Sequence, residues 1–254
     1  GGGSSAGTAE TVGIMLGDAM GDPGGTTVSG IESAVVSKNI IHGGGGTGTT
    51  IGLYIAAPEN LITVTNNRIT GFVADPDSPP AGTGEGRVNA VRLVGVADGV
   101  ALVNNSLNTG DAPASATFAY RHDIFLDNEV GGTPSQPYLV NNILAATNTG
   151  GTGTGIYEAC GTCNPSWLRN QLFSSGPGTD DLDLYYRDDG FVGETSDIPT
   201  IEGFVGIPVA DSNIDGNPAF VSLSMTSDDY LRISNDPVLS AAIDMGLNAS
   251  ALDL

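Results

Sequence analysis

The sequence has little positive charge. Eight lysines and arginines face 29 aspartates and glutamates, a formal net charge of −21 over 254 residues. Such a surface repels phosphate backbones and anionic membranes, which excludes nucleic acid as a partner. A polyanionic sugar would bind tightly only through a bridging metal ion. Long apolar runs are also missing. None approaches the roughly 20 residues that a bilayer-spanning helix needs, so insertion into a membrane is not expected. Helix-forming residues do not cluster. Only two histidines are present, His42 and His122, so Cys160 and Cys163 have few partners for a zinc site. No signal-peptide pattern is visible, and the opening "GGGSSAG" reads as the start of a mature or excised piece of a longer protein.

What is present is a core-forming 39% of hydrophobic residues, 38 glycines, and abundant Asn, Thr and Ser. That is the composition of an all-β chain with many turns. The turns recur in a pattern. Five short units, "VSKNII", "VTNNRI", "LVNNSL", "LVNNIL" and "WLRNQL", carry Asn39, Asn67, Asn105, Asn142 and Asn170. Each Asn has an apolar residue three before it (Val36, Val64, Leu102, Leu139, Trp167) and another two after it (Ile41, Ile69, Leu107, Leu144, Leu172). An apolar strand precedes most units: "GLYI", "AVRL", "DIFL" and "GIYE". Fourteen residues separate Leu53 from Asn67, Val91 from Asn105 and Ile156 from Asn170, and 18 separate Ile124 from Asn142. The stretches between repeats vary in length and are rich in Gly, Pro and Thr, a loop composition.

Fixed strand–turn–strand–Asn–strand units joined by elastic loops describe the coils of a β-solenoid. One coil has no core of its own, but stacked coils bury a continuous one. Asn tolerates a left-handed backbone better than other non-glycine residues, which suits a sharp corner. Equivalent amides in stacked coils can bond to one another. The expected fold is thus a parallel β-helix of six or seven coils over residues 1–187. Residues 188–254 form a closing segment continuous with it.

On these residues, from about Val28 to Tyr186, the chain resembles the right-handed parallel β-helix proteins of the pectate-lyase-like superfold. The resemblance implies architecture, since that fold hosts lyases, hydrolases, adhesins and phage spikes. The C-terminal "SNIDGNPAFVSLSMTSDDYLRISNDPVLSAAIDMG" resembles the closing segment of bacterial surface β-helix proteins. It matches at Asn213-Ile214, Pro218 to Phe220, Asp229-Tyr230 and Ala241 to Gly246, and departs in having "SAAID" where Pro is usual. The resemblance implies secretion or surface display.

If Leu53 and Ile55 point inward, the two-residue period sends Tyr54 outward. The matching row is Tyr54, Arg92, Phe125, Tyr157 and Tyr185. One reading is a platform on which rings stack against sugars and Arg92 bonds hydroxyls. The other is an exterior stacking ladder, worth about 0.2–1 kcal/mol per pair. Among titratable groups, "YRHD" places Arg121, His122 and Asp123 at the mouth of the fourth coil, with Glu158 one coil on. Arg92, Asp123 and Glu158 are the candidate catalytic set for a polysaccharide lyase or glycoside hydrolase. The two carboxylates would need to lie ~5–9.5 Å apart. "IHGGGG" around His42 is only a partial echo of the fold's hydrolase signature. "DSNIDGN" has calcium-loop form, with Asp211, Asn213, Asp215 and the Asn217 carbonyl as oxygen donors for Ca²⁺; its twelfth position is Ser222 rather than Glu. Cys160 and Cys163 read as a local disulfide, which implies an oxidising compartment.

These features favour a secreted or cell-surface module that binds a neutral or weakly charged glycan without a required cofactor. Two alternatives stand beside it: an enzyme acting in a groove walled by loops 73–87 and 145–154, and a subunit that stacks end to end or joins flanking domains through exposed strand edges.

Overall fold

In the computed structural model the described residues are 11–17, 32–44, 49–58, 60–71, 87–110, 120–128, 132–145, 152–174, 183–187, 193–195, 197–222, 227–229 and 231–233. They form six stacked coils of three strands each. Coil one is β1 (Thr11–Leu16), β2 (Ala34–Ser37) and β3 (Ile40–His42); coil two is β4 (Thr50–Ala56), β5 (Ile62–Thr65) and β6 (Arg68–Thr70). Coil three is β7 (Arg87–Val94), β8 (Val100–Val103) and β9 (Ser106–Asn108); coil four is β10 (Tyr120–Asp127), β11 (Tyr138–Val140) and β12 (Ile143–Leu144). Coil five is β13 (Thr152–Glu158), β14 (Trp167–Arg169) and β15 (Leu172–Phe173). Coil six opens with β16 (Asp183–Arg187), detours through β17 (Gly193–Thr195) and α1 (Ile198–Glu202), and closes with β18 (Val209–Asp211) and β19 (Ile214–Asp215). The first strands of the coils stack as sheet A, the second as sheet B and the third as sheet C. Within these three sheets all pairings are parallel except that of β17, which runs antiparallel to β16 on the edge of sheet A. The parallel β-helix expected from the repeat is the fold observed.

The inner rows form one core along the stack. Leu53, Val91, Ile124 and Ile156 stand in register and are fully buried, as are Val64, Leu102, Leu139 and Leu168 on sheet B. Each such side chain contributes about 1.5–3 kcal/mol through the apolar surface it removes from water. Where the chain swings from sheet C into sheet A it leaves no room for a side chain at Gly52. A Cβ there would lie 2.7 Å from the carbonyl oxygens of Thr70 and Ala90.

Three strands differ from the sequence expectation by one residue. In coil five, Trp167 pairs with Tyr138 and Leu168 with Leu139, so Leu168 enters the core and half-buried Trp167 faces out. Likewise Phe173, not Leu172, belongs to the core. On sheet A, Ile156 pairs with Tyr185 and Tyr157 with Tyr186. A shift of one residue turns every side chain of a strand to its other face.

At the C-terminal end α1 begins at Asp197, whose Oδ2 accepts from Thr200 N at 3.0 Å, and stops at Gly203. Its Ile198 and Ile201, with Phe204 and Ile207, pack onto the last coil of the core, Phe204 meeting the Tyr185 ring edge-on. A short antiparallel pairing joins Phe220–Ser222 to Leu231–Ile233, and this hairpin returns along the stack. Arg68 of β6 donates to the Asp228 carbonyl at 2.7 Å. The Ala241–Gly246 part of the closing pattern, Tyr230, and most of loops 73–87 and 145–154 lie outside the described residues.

Candidate functional site on the outer face of sheet A

The outer face of sheet A gathers most of the chemistry named from sequence. Tyr54, Arg92, Phe125 and Tyr157 stand in register there, as expected, and Tyr186 completes the row in place of Tyr185. The row is not an open platform. Tyr54, Arg92 and Phe125 are 1%, 5% and 1% exposed, and only Tyr157 and Tyr186 are half-buried. The reason is geometric. In-register residues of a parallel sheet stack along the solenoid axis, so flat rings turn their faces to one another. Phe125 and Tyr157 stack at 5.3 Å with planes 3° apart, and Tyr157 and Tyr186 at 4.3 Å and 4°. What remains for solvent is ring edge. Tyr185 points into the core instead, where its hydroxyl donates to Glu158 Oε1.

A second layer of groups surrounds this ladder. Arg92 Nη2 bonds Asp127 Oδ2 at 3.0 Å, both side chains being largely buried. Its guanidinium carbon lies 5.3 Å from the Phe125 ring centre, and that of Arg87 lies 5.2 Å from the same ring. Arg87 also sits 5.8 Å over the ring of Tyr120, which is 48% exposed. Arg87 is exposed, and no carboxylate pairs with it among the described residues. His122 tilts against both Phe125 and Tyr157. Burial drives its pKa down to about 3, with the positive charge of Arg87 adding to the effect. It is thus a neutral imidazole at physiological pH, unsuited to donate a proton there. Beside it in register stands Asn89, fully buried, whose amide has no hydrogen-bond partner among the described residues. Arg87, Tyr120 and Asn89 were not picked out by the repeat. Counting back along "GRVNAVRL" and "AYRHDIFL" from the shared apolar positions would have put Arg87 and Tyr120 in one row.

The candidate catalytic residues do not share a face. Arg92 is on the outer row and ion-paired. Asp123 occupies the row of Ala90 and Gly155, which faces into the coil: a Cβ on Gly155 would meet the ring of Phe173. Glu158 stands in register with Leu126, also on the inner side. Both carboxylates are fully buried. The calcium-loop oxygens diverge as well. Asp211 Oδ1 accepts from Arg169 Nε at 2.9 Å, the Asn213 amide is turned into the stack, and Asn217 Oδ1 accepts from Ala219 N at 2.8 Å. Among the described residues no three His, Cys, Asp or Glu side chains are grouped to hold a metal ion. Cys160 and Cys163 form a disulfide across a turn, with Cα atoms 5.2 Å apart.

The asparagines form two rows. The inner one is a hydrogen-bonded ladder: Asn39 donates to Asn67, Asn67 to Asn105 and Asn105 to Asn142, side chain to side chain at 3.0–3.1 Å. Its fifth member is Gln171, which accepts from Asn142 at 3.1 Å, rather than Asn170 as the repeat suggested. Its sixth is Asn213, whose Oδ1 accepts from Gln171 N, and whose own N and Nδ2 donate to Glu202 Oε1. The left-handed corner belongs to the residue just before each: Lys38, Asn66, Asn104, Asn141, Asn170 and Ser212, with φ between 51° and 59°.

The arrangement defines a six-coil parallel β-solenoid with an aromatic ladder on one outer face. No family model, no curated protein and no solved structure matches the chain.

Proposed function

We propose that the protein is a binding module that holds a neutral or weakly charged glycan against the outer face of sheet A and does not cleave it. The observation that carries this reading is the separation of the titratable groups. The one outward candidate, Arg92, is already paired, while Asp123 and Glu158 lie on the inner side. Glycosidic acid–base chemistry needs two carboxylates facing one bond. The outer face instead offers the exposed Tyr120 ring, the Arg87 guanidinium and the edges of Tyr157 and Tyr186, groups that contact a sugar through C–H surfaces and hydroxyls. The resemblance to pectate-lyase-like helices, which often use the corresponding sheet for substrate, supports the choice of face. The disulfide fits secretion or surface display. End-to-end stacking is disfavoured at the C-terminal end, because β17 covers the edge of sheet A and Glu202 terminates the amide ladder.

The test is a panel of polysaccharides incubated with the full chain, read both by affinity electrophoresis and by mass spectrometry for new chain ends. Retardation by at least one polysaccharide, weakened about tenfold or more in Tyr120→Ala or Arg87→Ala, with no new ends, is the expected result. New chain ends, or no retardation by any member, would sink the proposal.

A further inference from the structure

At the corner between sheets B and C, away from sheet A, lies a cavity of about 270 Å³. Asn104, Asn141 and Asn170 form its wall, Ile143 and Leu172 its floor, and Ile233 of the C-terminal hairpin its far side. Among the described residues none that lines it is ionisable, in a chain whose net charge is −21. The wall is ordered by its own bonds. Asn141 Nδ2 donates to Asn104 Oδ1 at 3.0 Å, and Asn170 Nδ2 to Asn141 Oδ1 at 3.2 Å. That chain of amides has two ends. The Asn104 NH₂ is a donor end and the Asn170 carbonyl an acceptor end. Two coil steps of ~4.8 Å set them on the order of 10 Å apart.

We propose that this cavity binds a neutral, hydroxyl-rich ligand of one or two sugar rings. A hydroxyl both donates and accepts, so it can satisfy either end of the amide chain. The C–H face of a pyranose suits the Ile143 and Leu172 floor. A charged sugar would lose hydration here and meet no counter-charge among the described residues. A half-open hollow that sets a small apolar floor among fixed amides suits a ligand carrying both C–H surface and hydroxyls. The amides are held by the left-handed corner and by one another, which lowers the ordering cost of binding.

The experiment is saturation-transfer NMR on the full chain with glucose, galactose, cellobiose and, as the charged counterpart, glucuronate. Asn104→Gly/Asn170→Gly removes both amide ends while glycine keeps the positive φ, so the corner survives. Ile233→Arg fills the cavity from the hairpin and leaves the coils untouched. Saturation transfer to a neutral sugar is expected, falling about tenfold or more in either variant and unchanged in Tyr120→Ala. The proposal is overturned if no neutral sugar responds, if the response survives both variants, or if glucuronate binds as well as glucose. A response lost only in Tyr120→Ala would place the sugar on sheet A, supporting the earlier reading against this one.

Discussion

Two rows of asparagine run side by side along the solenoid, one residue apart in sequence, and they do different work. In the inner row the buried amides of Asn67, Asn105 and Asn142 each both donate and accept. Asn105 receives the backbone N–H and the amide of Asn67, and donates to Asn142 Oδ1 and to the Val64 carbonyl. Only another amide can fill such a place, and the one exception to Asn among its six members is Gln171. In the outer row the backbone matters more than the side chain. Lys38 and Ser212 adopt the same left-handed φ as Asn66, Asn104, Asn141 and Asn170. Identical residues thus answer to hydrogen-bond satisfaction in one row and to backbone sterics in the other.

The comparison can be broken by substitution. Asn105→Leu strands the buried backbone N–H of Asn67 and takes a donor from the Val64 carbonyl and from Asn142 Oδ1. At about 1–3 kcal/mol per unsatisfied group, the expected loss is ~3 kcal/mol or more by urea denaturation. A loss below ~1 kcal/mol would mean the ladder is incidental. Removing the ladder's terminus with Glu202→Ala should cost less, about 1–2 kcal/mol, because Glu202 is half-buried and water can replace it. Acid sensitivity separates the ladder from sheet A. His122 has a folded pKa near 3 against 6.5 when unfolded. Below pH 6.5 the unfolded chain takes up a proton that the native chain refuses, so stability falls as pH drops and levels off near pH 3. Between pH 7 and pH 5 that amounts to about 2 kcal/mol, and His122→Phe should remove this part. Calorimetry at both pH values checks it; an unchanged slope in the variant would place the acid sensitivity elsewhere. The smallest effects belong to the outer row. Asn104→Val should cost about 1–2 kcal/mol and Asn104→Gly no more than ~0.5 kcal/mol. Equal losses from the two would show that the side chain, not the backbone, sets that position.

Much of the fold was legible because the apolar period and the Asn spacing repeat. Leu53, Val91, Ile124 and Ile156 could be aligned from sequence alone, and they stack as expected. The outer face was half legible. Its row of Tyr54, Arg92, Phe125 and Tyr157 was identified, but its burial was not. Ring faces are consumed by neighbouring coils, and that depends on stacking, which no single strand records. Asp123 and Glu158 read from sequence as a candidate catalytic pair, and their burial was not legible. Asp123 lies inside in the row of Gly52 and Ala90, and Glu158 in the inward row of Ile55, Leu93 and Leu126.

The sequence by itself determined the solenoid: the period, the number of coils within one, and the presence of a corner between the second and third strands, though the left-handed residue there is the one before the repeat Asn in all but the fifth coil. Tertiary structure decided which of two adjacent residues faces inward. Trp167 or Leu168, Tyr185 or Tyr186, Asn170 or Gln171 are each acceptable locally, because both members are apolar, aromatic or amide-bearing. The choice follows from pairing with the coil before, where Leu139, Ile156 and Asn142 already stood on the inner side. A strand alternates its faces every residue, so that one alignment fixes all of its side chains at once.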